Sequence, residues 1–404
     1  NVSVTDYAHT LYIRASWTDF NPQEDVYGWK IDSNLRAYIE GAYQRNMRLA
    51  FRVVVDSRDK RTEFTPQFVK DAGAKGFMNK GKWSPYSDDP VFQKYYTKFV
   101  KALAKDFNDP SKVEFIDGFG LGKWGEYHTM IYSTGDDTPK KAVFNWVTDI
   151  YSQAFDKVPV VINYHRWIGA GKDWVDDEHF AADSEEMLEE AIKKGYSLRH
   201  DAFGMTTYYG SWERRFAEKY RNICPIIMEG GWVVKSHNYW QDPRGYRKDS
   251  HEDVRRGEFD DSKEAHVNMM DFRFGDTKSW FKDAFDLVRR FLREGGYRLY
   301  PSEISLPLEV SKKTPPTIKH CWNNLGWGYC PTNIPQWNQK YKVAFALLDS
   351  ETNEVRYTFV DTDTDLSKWI KGSPAEYVFE PDMSKVETGT YVWAVGLVDR
   401  SNKD

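Results

Sequence analysis

Two glutamates stand where a pair of carboxyl groups could work together. Glu126 follows the run Val113-Glu-Phe-Ile-Asp-Gly-Phe-Gly-Leu-Gly-Lys-Trp-Gly, and Glu229 closes the apolar run Ile223-Cys-Pro-Ile-Ile-Met just before Gly230 and Gly231. A carboxylate at the end of an apolar run puts a charge at the rim of a buried strand, and the glycines let the backbone turn there. Breaking a glycosidic bond needs one carboxyl group that gives a proton to the leaving oxygen. A second, ionised one attacks the anomeric carbon or activates water. Desolvation by Trp124 and Tyr127 predicts a neutral Glu126, whereas arginine or tyrosine donors would keep Glu229 charged. A structural role, tied to backbone amides or an arginine, accounts for one such glutamate about as well as catalysis does, and for a pair less well.

Other polar residues follow apolar runs in the same way. Arg52 is expected either to support the nucleophile or to pair with Asp56. Asn163 and His165, Tyr208 and Tyr209, and Asp271 with Arg273 are candidates for contact with substrate hydroxyls, as are Trp124 and His128 on either side of Glu126. The chain carries 16 Trp, 25 Tyr and 24 Phe, 16% of its residues. Rings with a polar tip suit wet concave surfaces as well as cores, and carbohydrate is the substrate class that such a surface suggests. Trp17, Trp83, Trp167, Trp212, Trp232 and Trp240 are the expected sugar platforms, Trp232 foremost because it lies three residues beyond Glu229. Trp29 and Trp146 sit on helical faces and are expected to fill core. The number of rim aromatics favours an open cleft and endo action on a β-glucan.

These residues must be held by a frame. Short apolar runs at Leu11 to Trp17, Arg48 to Val55, Val113 to Leu121, Val158 to Tyr164, Ala202 to Thr207, Ile223 to Met228 and Val267 to Phe272 read as strands. Amphipathic helices are expected after Ser33 and over Phe92 to Phe107, Lys140 to Phe155, Ser184 to Lys194 and Lys278 to Arg293. Alternation of this kind is the signature of β-α units around a parallel sheet. Seven strands are one short of an eight-stranded barrel, so either Tyr297 to Tyr300 closes it or a first strand lies upstream of Asn1, the second being preferred because Tyr297 runs continuously into the segments that follow. From Tyr297 onward six alternating segments without a long helix suggest a β-sandwich near immunoglobulin size. The expected division is therefore 1–296 for the barrel and 297–404 for the sandwich.

The stretch Tyr12-Ile-Arg-Ala-Ser-Trp-Thr-Asp-Phe-Asn-Pro-Gln-Glu-Asp-Val-Tyr-Gly-Trp, with Arg48-Leu-Ala-Phe-Arg-Val-Val-Val and Trp124-Gly-Glu-Tyr-His, resembles the second to fourth strands of retaining glycoside hydrolases of clan A, β-galactosidase-like ones above all. The tail, with Trp322-Asn-Asn-Leu-Gly-Trp, Asp365-Leu-Ser-Lys-Trp and Glu387-Thr-Gly-Thr-Tyr, is similar to the sandwich appended to a bacterial family of such barrels. The resemblance implies an α/β fold, a (β/α)8 TIM barrel followed by an immunoglobulin-like β-sandwich. It implies an acid/base at Glu126, a nucleophile at Glu229, a phenol near the nucleophile at Tyr208 or Tyr209, and no cofactor. In the clan an Asn usually precedes the acid/base, but here the residue is Gly125. That departure leaves two readings open, an unusual hydrolase or a barrel that binds glycan without cleaving it.

Several classes fall away. Lys plus Arg is 56 against 61 Asp plus Glu, a net charge of −5, which argues against nucleic acid as partner. No apolar run approaches the roughly 18 residues of a membrane helix. The nine histidines are scattered and no HExxH or CxxC occurs, so a catalytic metal has little support. Asp361, Asp363 and Asp365 begin like a calcium loop, but Leu366 stands where glycine is needed and Gly372 where the bidentate Glu belongs. Cys224 reads as a buried hydrophobe, and a bond between Cys321 and Cys330 is an open alternative. The chain begins with Asn rather than Met, which fits a trimmed form of a secreted, periplasmic or cell-surface protein.

Overall fold

Period-two alternation builds the part of the molecule that carries the glutamates. The computed structural model describes residues 3–171, 178–205, 208–231, 251–272, 277–311, 313–337 and 340–399. Its first strands are β1 (Thr10–Ser16) and β2 (Arg48–Val54), followed by a small antiparallel hairpin of β3 (Gly76–Asn79) and β4 (Lys82–Pro85). Then come β5 (Val113–Asp117), β6 (Val160–Asn163), β7 (Ser197–His200) and β8 (Ile226–Met228). All but the hairpin form one parallel sheet in the order β1-β2-β5-β6-β7-β8, and a parallel bridge from Ile227 to Met269 adds a seventh stave. The sheet curls on itself, since the Arg199 guanidinium of β7 lies 4.1 Å from the centre of the Tyr12 ring of β1. Among the described residues no backbone pairing joins β1 to the Met269 stave.

Successive side chains on a strand point to opposite faces, so each stave feeds two layers. Ile13, Phe51, Ile116, Ile162, Leu198 and Met228 face outward into the main core. Tyr12, Ala50, Phe115, Val161, Ile227 and Met269 form an apolar floor inside the curl. One step of two residues further along come Arg14, Arg52, Asp117, Asn163, Arg199, Glu229 and Asp271. The apolar floor thus lies directly beneath a polar layer at the carboxyl ends of the strands, where a barrel enzyme works.

Six of the seven expected strands correspond to staves of the sheet. The fifth stave in chain order does not match, because Ser197–His200 forms the strand and Ala202 to Met205 forms a turn closed by Met205 N–H on Ala202 O. Strand β5 ends at Asp117 rather than Leu121. Gly120 and Gly122 adopt φ of 73° and 74°, and a Cβ on Gly120 would meet the Val53 carbonyl at 2.0 Å. Helices Asn34–Tyr43, Pro90–Phe107, Lys140–Ala154 and Glu178–Lys193 match expectation, and Ser33 caps the first by accepting from Arg36 N–H. The helix expected over Lys278 to Arg293 is broken at Ala284 (φ −136°, ψ 38°) into a π-turn and a helix over Phe285–Glu294. Helices Ser211–Tyr220 and His251–Glu264 were not expected.

The remaining strands are β9 (Leu299–Ser305), β10 (Ile318–Asn324), β11 (Tyr341–Asp349), β12 (Val355–Asp361), β13 (Ala375–Phe379) and β14 (Tyr391–Asp399). They make two three-stranded antiparallel sheets, β13-β10-β9 and β12-β11-β14, around a core of Ile318, Trp322, Cys330, Val343, Phe345, Leu366 and Trp369. Cys321 and Cys330 are not bonded. On β10 the residues facing the core are Ile318, His320, Trp322 and Asn324, so Cys321 points away from the side on which Cys330 is buried. Asp361 is spent on His320, 3.0 Å from its Nε2. Trp337, from the connection between β10 and β11, reaches the apolar floor of the curled sheet and donates from Nε1 to Ser197 Oγ at 2.9 Å.

Candidate functional site

Glu229 follows β8 directly, and its backbone N–H is tied to His200 O at 2.8 Å, which fixes the residue at the mouth. Glu126 comes by a longer route. After Asp117 the chain turns through its glycines and closes on itself, with Tyr127 N–H on Leu121 O and Lys123 N–H on His128 O. Trp124 and Tyr127 hold positive φ of 59° and 61°. Non-glycine residues in that region cost energy, and such strain tends to gather where a loop must aim a side chain.

Both carboxylates are 3% exposed, and both meet the same two guanidinium groups. Arg52, fully buried, donates from Nη1 to Glu126 Oε1 at 3.1 Å and to Glu229 Oε1 at 3.4 Å, and from Nη2 to Glu229 Oε2 at 2.6 Å. Arg14 bridges the pair from above, with Nη2 3.1 Å from Glu126 Oε1 and Nη1 3.0 Å from Glu229 Oε1. Arg199 completes the layer, with Nε on Glu229 Oε2 at 3.2 Å and Nη2 on Asp271 Oδ2 at 3.0 Å. Asp117 takes Arg52 Nε at 3.0 Å and the Tyr12 hydroxyl.

This electrostatic setting reverses the expected state of Glu126. Burial alone would push its pKa up, but Arg14, the hydrogen bond with His128 and Arg52 outweigh it and hold the carboxyl down at about 2. The carboxyl that is raised is Asp201, just after β7. Burial and the charges of Glu126 and Glu229 push its pKa up to about 7.

Each expected site residue now has a position. Arg52 pairs with Asp117 and both glutamates, not with Asp56, which pairs with Arg58. His128 Nε2 lies 3.4 Å from Glu126 Oε2. His165 donates from Nε2 to the Glu126 carbonyl at 2.8 Å and accepts Trp167 N–H at Nδ1, which fixes its tautomer and steadies the loop. Asn163 Oδ1 is 3.5 Å from Arg52 Nη2, and Asp271 is held by Arg199. Trp124 is half-buried at the mouth, and its carbonyl takes Arg14 Nη2 at 2.8 Å. Tyr209 is buried and shares its hydroxyl with Tyr164 at 3.0 Å, so the phenol of this layer is Tyr12. Tyr208 is half-buried in the turn after β7, not on a strand.

Trp17, Trp83 and Trp212 are buried core residues rather than platforms, because their rings pack under the helices. Trp17 is boxed in by Phe68, Phe92, Tyr96 and Phe99. Trp167 is 2% exposed, with the Arg166 guanidinium 3.9 Å from its ring centre. Trp232, Trp240 and Arg273 lie outside the described residues.

No family model matches the chain, and no curated protein does either. Solved structures do align with it. Endo-glycoceramidase II from Rhodococcus sp. in its lactosyl-enzyme form covers 94% of this chain and 91% of its own, at 13% identity and a TM-score of 0.42. The exo-β-1,4-mannosidase Op5Man5 from Opitutaceae bacterium strain TAV5 covers 65% of this chain and 44% of its own, at 11% identity and a TM-score of 0.39. A third, described as a glycoside hydrolase, covers 67% and 80% at 12% identity and a TM-score of 0.38. Scores this low support no argument about fold or chemistry, so the reading of the site rests on its own geometry.

Four residues of the polar layer escaped the sequence reading: Tyr12, Arg14, Asp117 and Arg199. Asp201 escaped it as well. The signal was available for the four, since each sits on the inward parity of its strand, as do Arg52, Asn163 and Glu229. Among the described residues no group of three or more His, Cys, Asp or Glu is arranged to hold a metal ion.

Proposed function

We propose that this protein is a retaining β-glycoside hydrolase with Glu229 as nucleophile and Glu126 as acid/base. The observation that carries the reading is the convergence of both carboxylates on one guanidinium nitrogen, Arg52 Nη1, at 3.1 and 3.4 Å. In the first step Glu229 Oε attacks the anomeric carbon while the glycosidic C–O bond breaks and the leaving oxygen takes a proton from Glu126, which gains that proton once Arg14 has moved off its carboxylate. In the second, Glu126 as carboxylate takes a proton from water, whose oxygen attacks the anomeric carbon and frees Glu229. Arg52 and Arg199 set two guanidinium groups against Glu229, at 2.6 and 3.2 Å from its Oε2, beside the oxygen that attacks. No cofactor enters this scheme.

We also infer that the curled sheet is a (β/α)8 barrel ending near residue 296 and that the two antiparallel sheets beyond it are an immunoglobulin-like domain. Burial of Trp17, Trp83, Trp167 and Trp212 removes most of the aromatic argument for an open glucan cleft. A second reading, a glycan-binding protein without hydrolysis, is favoured by Arg14, which occupies the space between the two carboxylates where a sugar would have to sit. Reducing-sugar release from a polysaccharide panel separates the two. The hydrolase reading expects release by the wild type and its loss in Glu229→Gln. Binding without release by the wild type would favour the second.

A further inference from the structure

The clamp itself points to the kind of sugar this site accepts. For Glu126 to reach a glycosidic oxygen and Glu229 an anomeric carbon, the scissile bond must lie between them, where Arg14 now bonds both. Arg52 and Arg199 are 0% and 1% exposed, whereas the Arg14 side chain is 22% exposed and can be reached from solvent. A second cation stands beside it. Lys60, half-buried in the loop after β2, makes no ion pair among the described residues and lies over the Phe64 ring at 5.4 Å. Its charge is felt by Arg14 and Glu126. The neighbouring acids are taken, Asp56 by Arg58 and Asp59 by Lys80 and Lys123.

We infer that the substrate is an acidic glycan whose sugar at the cleavage point carries a carboxylate or sulfate, bound by Arg14 and Lys60. The inference rests on the hydrolase reading for its kinetics but not for its binding chemistry. A neutral sugar would separate Arg14 from both carboxylates and offer it no anion in their place. An anionic group offers Arg14 a replacement. It also frees Glu126 from the cation that most strongly opposes its protonation, so the acid becomes competent when the right sugar arrives.

The test compares p-nitrophenyl β-D-glucuronide and β-D-galacturonide with the matching glucoside and galactoside, for wild type and Arg14→Gln. A charged hydrogen-bonded pair in such a site should favour the uronide by roughly ten- to hundredfold in kcat/KM, and Arg14→Gln should abolish that preference. Equal or better turnover of the neutral glycosides by the wild type, or a preference that survives in Arg14→Gln, overturns the inference and leaves the hydrolase standing. A parallel arm measures equilibrium binding of oligouronates, sulfated oligosaccharides and neutral oligosaccharides to Glu229→Gln. Uronate preferred over sulfate, or the reverse, identifies the anion, and no preference over the neutral set refutes the inference without any turnover. Tight acidic-glycan binding with no cleavage by the wild type would instead sink the hydrolase and keep the anion site.

Discussion

Replacing Glu126 by Gln should show how strongly the arginine clamp holds this carboxylate. An ordinary glutamate titrates at 4.5, but here the value is held down at about 2. The unfolded chain therefore takes up a proton as pH falls through 4.5, while the folded protein resists until about pH 2. Stability from this group is complete above pH 5 and drains away below it. At roughly 1.4 kcal/mol per pH unit, the contribution is about 3 kcal/mol at pH 7 and about 1.5 kcal/mol at pH 3. Urea titrations of wild type and Glu126→Gln, followed by tryptophan fluorescence and compared at equal slope, should give gaps near these two values. A gap that is absent at pH 7, or unchanged at pH 3, would show that Arg14 and Arg52 do not keep Glu126 ionised.

Asp201→Asn should act in the opposite sense. With its pKa pushed up to about 7, Asp201 keeps its proton in the folded state where the unfolded chain has lost it. It therefore opposes folding increasingly from pH 4 to 7 and fully above that. The variant should melt higher than wild type at pH 8, with the difference vanishing toward pH 4, as scanning calorimetry would show. Trp337→Ala empties the apolar floor and leaves the Ser197 hydroxyl without its donor, and a loss of about 3 to 5 kcal/mol in urea is expected. A loss under about 1 kcal/mol would mean that the floor is held by the curled sheet alone.

The strands at 113, 160, 226 and 267 were legible because apolar runs of four to eight residues are a strong local signal, and the six segments after 297 alternated cleanly. Ser197–His200 was missed because its inward residues, Ser197 and Arg199, are polar, so the run does not look buried. Arg14, Asp117 and Arg199 share that inward parity with Arg52 and Glu229, but parity alone does not separate a site residue from a solvated one. Each resembles a surface residue until the sheet curls and brings it against the strands opposite. Glu126 and Glu229 could be found as a pair, but the protonation state of Glu126 could not. Its setting depends on Arg14, more than a hundred positions away in the chain and brought close only by the fold. The tryptophan platforms failed for a related reason, since strand-end position does not say which side of the sheet a ring takes.

The tryptophan that packs against the floor of the curled sheet bears on how the molecule comes into being. Trp337 is translated well after Met269, the last stave. Until it leaves the ribosome, the apolar floor of the curled sheet lacks the ring that packs against it. Synthesis arrested before that point would leave a half-finished product prone to aggregate or to be captured by chaperones. Grafting this curled sheet onto other scaffolds would require carrying the connection between β10 and β11 along with it.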